Sequence, residues 1–335
     1  MTSPLALLLA LALQQSPDSI VAHAKRAIAP LTDTASLRAA GFTPLAFGPV
    51  RDLTPFQGQH WLSLPRVIGM AMHNDPVDVD QPTFLMFLPV EGKLIPLGVA
   101  YTRRIGGQVQ APTELGGVPA MWHTHMFCRN VPGEGQVLAD GLEDCTDRGG
   151  QPTRNQIAMV HAWTIPNPDG PFAHDNPALP FIATGLKPPA HPTRDDRFFA
   201  VALGETYGAK LPEAHRIDHE AQAAGTVQVL NAQRQILRGI VPQLVAAEKA
   251  GDRAKFDALR RKTLSTFNAL LSAYRALAST PQIKSRLDME LAEAVGDEPM
   301  KMPQDPSASG RGADSGAASG LGLASRGFRR SNRAP

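Results

Sequence analysis

Residues 118–128 read VPAMWHTHMFC: two histidines one residue apart, a tryptophan ahead of them and a cysteine three residues behind. Side chains two apart on a strand point to the same face, so on a strand His123 and His125 aim both imidazoles into one volume. Two ligands do not make a metal site. The sequence on either side must supply both the sheet and the further ligands.

From Phe42 to about Phe181, short apolar runs alternate with turn residues. They are HWLSLPRVI (60–68), TFLMFLPV (83–90), LIPLGVAYT (94–102), AMWHTHMF (120–127) and IAMVHAWTI (157–165). VEGKL (90–94) joins the second to the third as a hairpin turn, so these two should pair antiparallel. The pattern predicts an antiparallel sheet or partly closed small barrel, whose mouth is a natural site.

Helical spacing brackets this region. Upstream, SPDSIVAHAKRAIAPL repeats apolar residues at Ile20, Val21, Ala24 and Ile28, and TDTASLRAAGF makes a short helix with Thr32 or Asp33 as N-cap and Gly41 just past its end. Past Pro192, RDDRFFAVALGETYGA (194–209) reads as one helix. Residues 218–250 form a second, striped at Val229, Ile236, Ile240, Val241, Leu244 and Ala247 and interrupted by Pro242. After a Gly-Asp break, residues 253–279 continue as an antiparallel partner, and TPQIKSRLDMELAEAV adds a last helix. The fold class is therefore α+β, with N-terminal helices, a β-rich domain over 16–190 and a helical region over 191–295 built around a helical hairpin. Residues 296–335, rich in Gly, Ser, Pro and Arg, have little to bury and read as a disordered tail.

The chain begins MTSPLALLLALALQQSPDS, with an apolar run from Leu5 to Leu13. A helix needs about 20 apolar residues to cross a bilayer, so this run is too short to span one and suits the core of a signal peptide over residues 1–15. No other segment approaches a span. In an exported chain the two cysteines, Cys128 and Cys145, are most simply a disulfide. In a reducing compartment the same pair would be free thiols or soft metal ligands. The net charge of +2 gives no field favouring nucleic acid. G-x-S-x-G, a phosphate-binding glycine loop, H-E-x-x-H and a dinucleotide fingerprint are all missing from the sequence.

Four histidines fall on expected strands or strand entries: His60, His123, His125 and His161. Three or four imidazoles on one inner face suit a divalent metal, Zn or Cu first and Fe or Ni next; the bland alternatives are an internal polar cluster or solvated strand positions. Directly after the His161 strand, NPDGPFAHDNP (167–177) offers Asp169, His174 and Asp175. They line the site mouth, where a small molecule could enter, or orient a ligand, or simply cap turns.

In order, QHW, WHTHMFC, LEDCTDRGG and MVHAWTIPNPDGPFAHDNP resemble the motifs of a family of uncharacterised bacterial exported proteins over about 140 residues, 42–181. The resemblance implies that His60, His123, His125, Cys128, Cys145, His161 and Trp163 belong to a shared motif, and implies no particular activity. In that family the strand reading LGVAYT here can carry an acidic residue, where this chain has Ala100. A weaker likeness is to cupins, small barrels with H-x-H, a following glutamate and a later histidine as metal ligands; Glu134 stands further along than that pattern places its glutamate.

These readings make the chain an exported metal-binding protein with a histidine-lined pocket. Two alternatives remain, a metal-dependent oxygenase or hydrolase and a metal-free extracytoplasmic binding or scaffold protein. Export is checked by mass spectrometry of protein from its native host: the expected chain starts after the leader and carries a Cys128–Cys145 crosslink. An intact Met1 with two free thiols overturns it.

Overall fold

The computed structural model describes residues 16–297, apart from 48–49, 52, 74–76, 91, 106–109, 132–134, 140–144 and 147. The expected leader, nearly all of the expected tail and Glu134 lie outside the described residues. The described residues belong to one compact unit, 1–299.

Two helices open the described chain, α1 (Pro17–Ile28) and α2 (Thr34–Ala39). Ser16 caps α1 by accepting from the Ser19 amide, and Asp33 and Ser36 form a capping box on α2. The strands follow: β1 (Thr43–Pro44), β2 (Ala46–Phe47), β3 (Val50–Arg51), β4 (Gln59–Leu62), β5 (Phe84–Val90), β6 (Lys93–Ile105), β7 (Glu114–Leu115), β8 (Val118–Pro119), β9 (His123–Val131), β10 (Gly135–Ala139) and β11 (Gln151–Trp163). Seven of them form one antiparallel sheet in the order β1-β4-β5-β6-β11-β9-β10, curled into a partly closed half-barrel. The β5–β6 hairpin turns at Gly92, whose φ of 77° needs no Cβ to be accommodated.

HWLSLPRVI is not one strand. Its first residues end β4, and the rest starts α3 (Leu64–His73). Pro65 near the helix start has no amide to lose there, and Val67 is turned inward while Leu64 and Ile68 stay exposed. β10 lies in the glycine-bearing stretch between the cysteines, where no apolar run had marked a strand. The cysteines are joined, Cys128 of β9 to Cys145, with their Cα atoms 5.6 Å apart. Closing a loop of this separation contributes about 3 kcal/mol in the chain-entropy model.

The sheet has two different faces. Trp61, Leu85, Phe87, Val99, Tyr101, Val160 and Ala162 point to one side and pack with Ile20, Ala24 and Ile28 of α1 in a fully apolar layer. Their neighbours in sequence point to the other side and carry the histidines. Gly98 of β6 is needed where β6 meets β11, because a Cβ there would run into the Ala162 carbonyl and the Met86 methyl.

Beyond the sheet lie α4 (Leu179–Thr184), α5 (Arg194–Tyr207), α6 (Pro212–Ala223), α7 (Gln228–Lys249), α8 (Arg253–Leu277) and α9 (Pro281–Val295). The segment 218–250 is split, since Gly225 (φ 72°) ends α6 before α7 starts. On α7 the buried stripe runs through Leu230, Arg234, Leu237, Ile240, Leu244 and Ala247, while Val229 and Ile236 face solvent. The expected stripe was off at its start because Arg234, a charged residue, occupies a core position. Its guanidinium donates to Glu205 Oε2 (3.1 Å), Asp218 Oδ1 (2.7 Å) and the Tyr274 hydroxyl (2.5 Å), and that hydroxyl donates to Glu205 Oε1 (2.9 Å). Burial pushes the Glu205 carboxyl up, and Arg234 beside it pulls it back.

Removing one partner from such a buried network strands the other charge. Arg234→Ala is expected to cost about 3–5 kcal/mol in urea unfolding. The double variant Arg234→Met with Glu205→Gln should cost less than the two single changes added together. Equal costs for the sum and the double variant would show that the two residues are not coupled.

Candidate functional site

The second face of the sheet is where register matters. β11 pairs with β6 so that His161 is opposite Ala100, and with β9 so that Met159 is opposite His123 and Ile157 opposite His125. On the far side β4 pairs with β5, setting His60 opposite Met86. Partners across a ladder share a face, so these registers deliver the four sequence-marked histidines to one side of the sheet.

The structure brings them together and adds a fifth. The His60 and His161 rings have centroids 5.3 Å apart, His161 and His123 5.0 Å, and His123 and His125 4.8 Å. His174 joins them from the loop after β11, 4.0 Å from the His123 ring and 5.5 Å from that of His161. The sequence left His174 at the site mouth, orienting a ligand, or capping a turn. The loop takes it deeper, because Trp163 Nε1 donates to the Ala173 carbonyl and Asn167 Nδ2 to the Asp175 carbonyl, folding the segment back along the end of β11. Asp169 goes elsewhere, to an ion pair with Arg197 at 2.6 Å. Gln57, which no periodicity marked, completes the set: its amide nitrogen lies 2.9 Å from His174 Nε2 and 3.0 Å from Asp175 Oδ1. Both amide hydrogens are then used, and His174 Nε2 is the acceptor.

His161 is the most constrained of the five. It is 1% exposed, and its Nδ1 lies 2.6 Å from the His174 carbonyl oxygen. A carbonyl only accepts, so Nδ1 carries the proton and Nε2 presents a lone pair. That lone pair faces His60 Nε2 at 3.3 Å. Burial, then the neighbouring His60 and His174 rings, hold His161 well below the usual histidine range. Burial, then His174 and His161, do the same for His123. Both rings are neutral at physiological pH. His123 Nδ1 is buried and has no hydrogen-bond partner among the described residues.

The cluster forms one wall of a cavity of about 560 Å³. Met159, Leu138 and Phe56 add apolar surface, and the N-terminus of α6 with Glu290 and Glu293 of α9 closes the opposite side. Glu290 accepts from the Glu213 amide at 2.9 Å, capping α6, and His215 Nε2 donates to the Leu53 carbonyl at 3.0 Å. Among the described residues no group of three or more His, Cys, Asp or Glu is already arranged to hold a metal ion. The imidazoles are gathered, but their nitrogens do not yet converge on one point. Comparison with family models, curated proteins and solved structures found no match, so the site is read from its own geometry.

The depressed pKa values of His123 and His161 set a pH dependence. As pH falls below the unfolded value of about 6.5, the unfolded chain takes up protons that the folded one refuses, so stability present above that pH is lost below it. Two such rings should remove about 1–3 kcal/mol between pH 7.5 and 5.5. Urea unfolding across that range measures it, and His161→Asn should flatten the slope. A wild-type stability that stays level from pH 7.5 to 5.5 contradicts the assignment.

Proposed function

We propose that the protein binds a borderline divalent ion, Zn or Cu before Fe or Ni, on the histidine face, through His60 Nε2, His161 Nε2 and the His123 ring. The observation that carries this reading is the His60–His161 pair. Its 3.3 Å separation is that of an N–H···N hydrogen bond in which His60 Nε2 donates its proton to the His161 lone pair, a proton that a change of the His60 tautomer would clear. It matches the roughly 3.4 Å edge of a tetrahedron whose metal–nitrogen bonds are about 2.05 Å. Rings bound to one such ion have centroids roughly 5 Å apart, which the spacing of His161 from His60 and from His123 also meets.

The His174 carbonyl plays the part that a hydrogen-bond acceptor plays behind a metal-bound histidine, fixing which nitrogen is free. Closing the shell requires a turn of the His123 ring, whose buried Nδ1 has no hydrogen bond to lose. A purely structural polar network accounts for the position of His174 but leaves that nitrogen unpaired, a cost of about 1–3 kcal/mol. The joined cysteines favour an oxidising, extracytoplasmic setting. The cavity is larger than an ion needs and leaves room for a small molecule beside it.

The test is a thermal unfolding titration of tag-free protein with Zn(II) and Cu(II). A ligand that binds only the folded form should add about 2.7 kcal/mol at a hundredfold excess over its dissociation constant. His60→Ala, His161→Ala and His123→Ala should each abolish most of that gain, and a His123→Ala/His161→Ala double variant should lose little more than either single one. The proposal fails if metal leaves the wild-type midpoint unmoved while the variants are destabilised equally in chelator and in metal.

A further inference from the structure

Resting on that metal-binding reading, we infer that the ion preferred at this site is Cu(I), held by the histidines together with the thioether of Met159. Met159 precedes His161 by two residues on β11 and is the direct cross-strand partner of His123, so the sheet places it between two of the proposed ligands on the same face. It is 3% exposed and lines the same cavity.

Of the other soft donors, Met86 opposite His60 packs with Leu88, Leu97 and Trp163, and the cysteines are spent. Cys128 and Cys145 are bonded to each other, so no thiolate is offered. Two of the carboxylates that line the cavity hold other partners: Asp175 accepts from the Gln57 amide, and Glu290 caps α6. A shell of imidazoles extended by sulfur suits copper, and thioether sulfur suits Cu(I) in particular, whereas zinc is usually completed by thiolate, carboxylate or water.

The surroundings point the same way. Met159 packs in an apolar group with Phe84, Ala100 and Ile157, and the Phe84 ring meets His60 edge-on at 6.1 Å. The cost of burying an ion rises with the square of its charge, so a monovalent ion is less penalised there than a divalent one. Neutral imidazoles add no charge to offset a second positive one.

The experiment uses tag-free, metal-free protein with its disulfide intact, under nitrogen. Cu(I) affinity is read by competition with a chromogenic Cu(I) chelator, and Zn(II) affinity with a zinc-binding dye. Wild type should bind Cu(I) more tightly than Zn(II). Met159→Leu, which conserves volume, should weaken Cu(I) binding by about tenfold or more while changing Zn(II) binding by less than about threefold. X-ray absorption of the wild-type Cu(I) form should show one sulfur scatterer among nitrogens, which tests the ligand set even if the variant folds poorly. Binding of neither ion overturns the metal-binding reading itself. Zn(II) binding with no Cu(I) preference, an equal effect of Met159→Leu on both ions, or a nitrogen-only shell overturns the methionine ligand and leaves metal binding standing.

Discussion

Everything at the candidate site depends on β11 being paired on both edges in one register. With β6 alongside Gln156–Trp163 and β9 alongside Gln156–Met159, the residues from Gln156 on alternate without freedom to slip. A shift of one residue would exchange its faces, sending His161 into the layer that Val160 and Ala162 share with α1 and bringing those two aliphatic residues to the cavity. The apolar layer is therefore what specifies the histidine face. Burying Val160 and Ala162 against Ile20, Ala24 and Val99 costs nothing polar, and the alternative register would bury imidazoles where no acceptor waits. The bulge between Pro152 and Gln156 sits upstream of the histidine pairs, so it bends the strand without disturbing them.

A face so rich in imidazole is a local breach of the rule that buried surfaces are apolar or fully hydrogen-bonded. Such breaches persist where the rest of the fold is stable enough to carry them, and they cluster at functional positions. Two reserves support this one. The helical layer has its own core around Phe199, Leu237, Leu270 and Leu287. The segment from Leu53 to Gly58 ties that layer to the sheet: the Leu53 carbonyl accepts from the Lys210 amide and from His215, the Phe56 carbonyl accepts from the Asn176 amide, and Gln57 holds His174 and Asp175. One short stretch thus fixes the position of the loop wall relative to the strand wall of the cavity.

The sequence made the sheet legible wherever side chains alternate strongly or run apolar: β5 and β6 stand close to their runs, while β9 starts three residues later than its run and β11 six residues earlier. It misled where an apolar run changes period: from Leu64 on, HWLSLPRVI follows helical spacing that a nine-residue window cannot separate from a buried strand. β10 was hidden because its apolar run, Val137 to Ala139, is only three residues long and sits among turn residues, and the strand is recruited by pairing with β9. Of the site, His60, His123, His125 and His161 were readable from strand spacing. His174 was marked only with several roles open to its loop, whose position is set by tertiary hydrogen bonds from Trp163 and Asn167, and Gln57 was not marked at all because it lies in an irregular stretch with no period.

Ala100 shows how one small residue bears on the chemistry of the whole face. It is the cross-strand partner of His161, so whatever stands at this position touches the most buried imidazole of the cluster. A carboxylate there would have brought a hard oxygen donor and a negative charge beside His161, raising the ring's basicity and favouring a more highly charged ion. The methyl group does neither. It leaves His161 with a backbone carbonyl as its hydrogen-bond acceptor, a weaker pull that fixes the tautomer while the ring remains neutral. Phe84, Ile157 and Met159 pack with the alanine, so the sheet is apolar there, while His60 Nε2 faces the His161 lone pair at 3.3 Å. The loop after β11 adds the His174 carbonyl and ring, and Gln57 holds that ring from the Leu53–Gly58 stretch. The face therefore presents nitrogen donors above an apolar floor, and for an ion bound there as proposed, charge and softness would count as much as size.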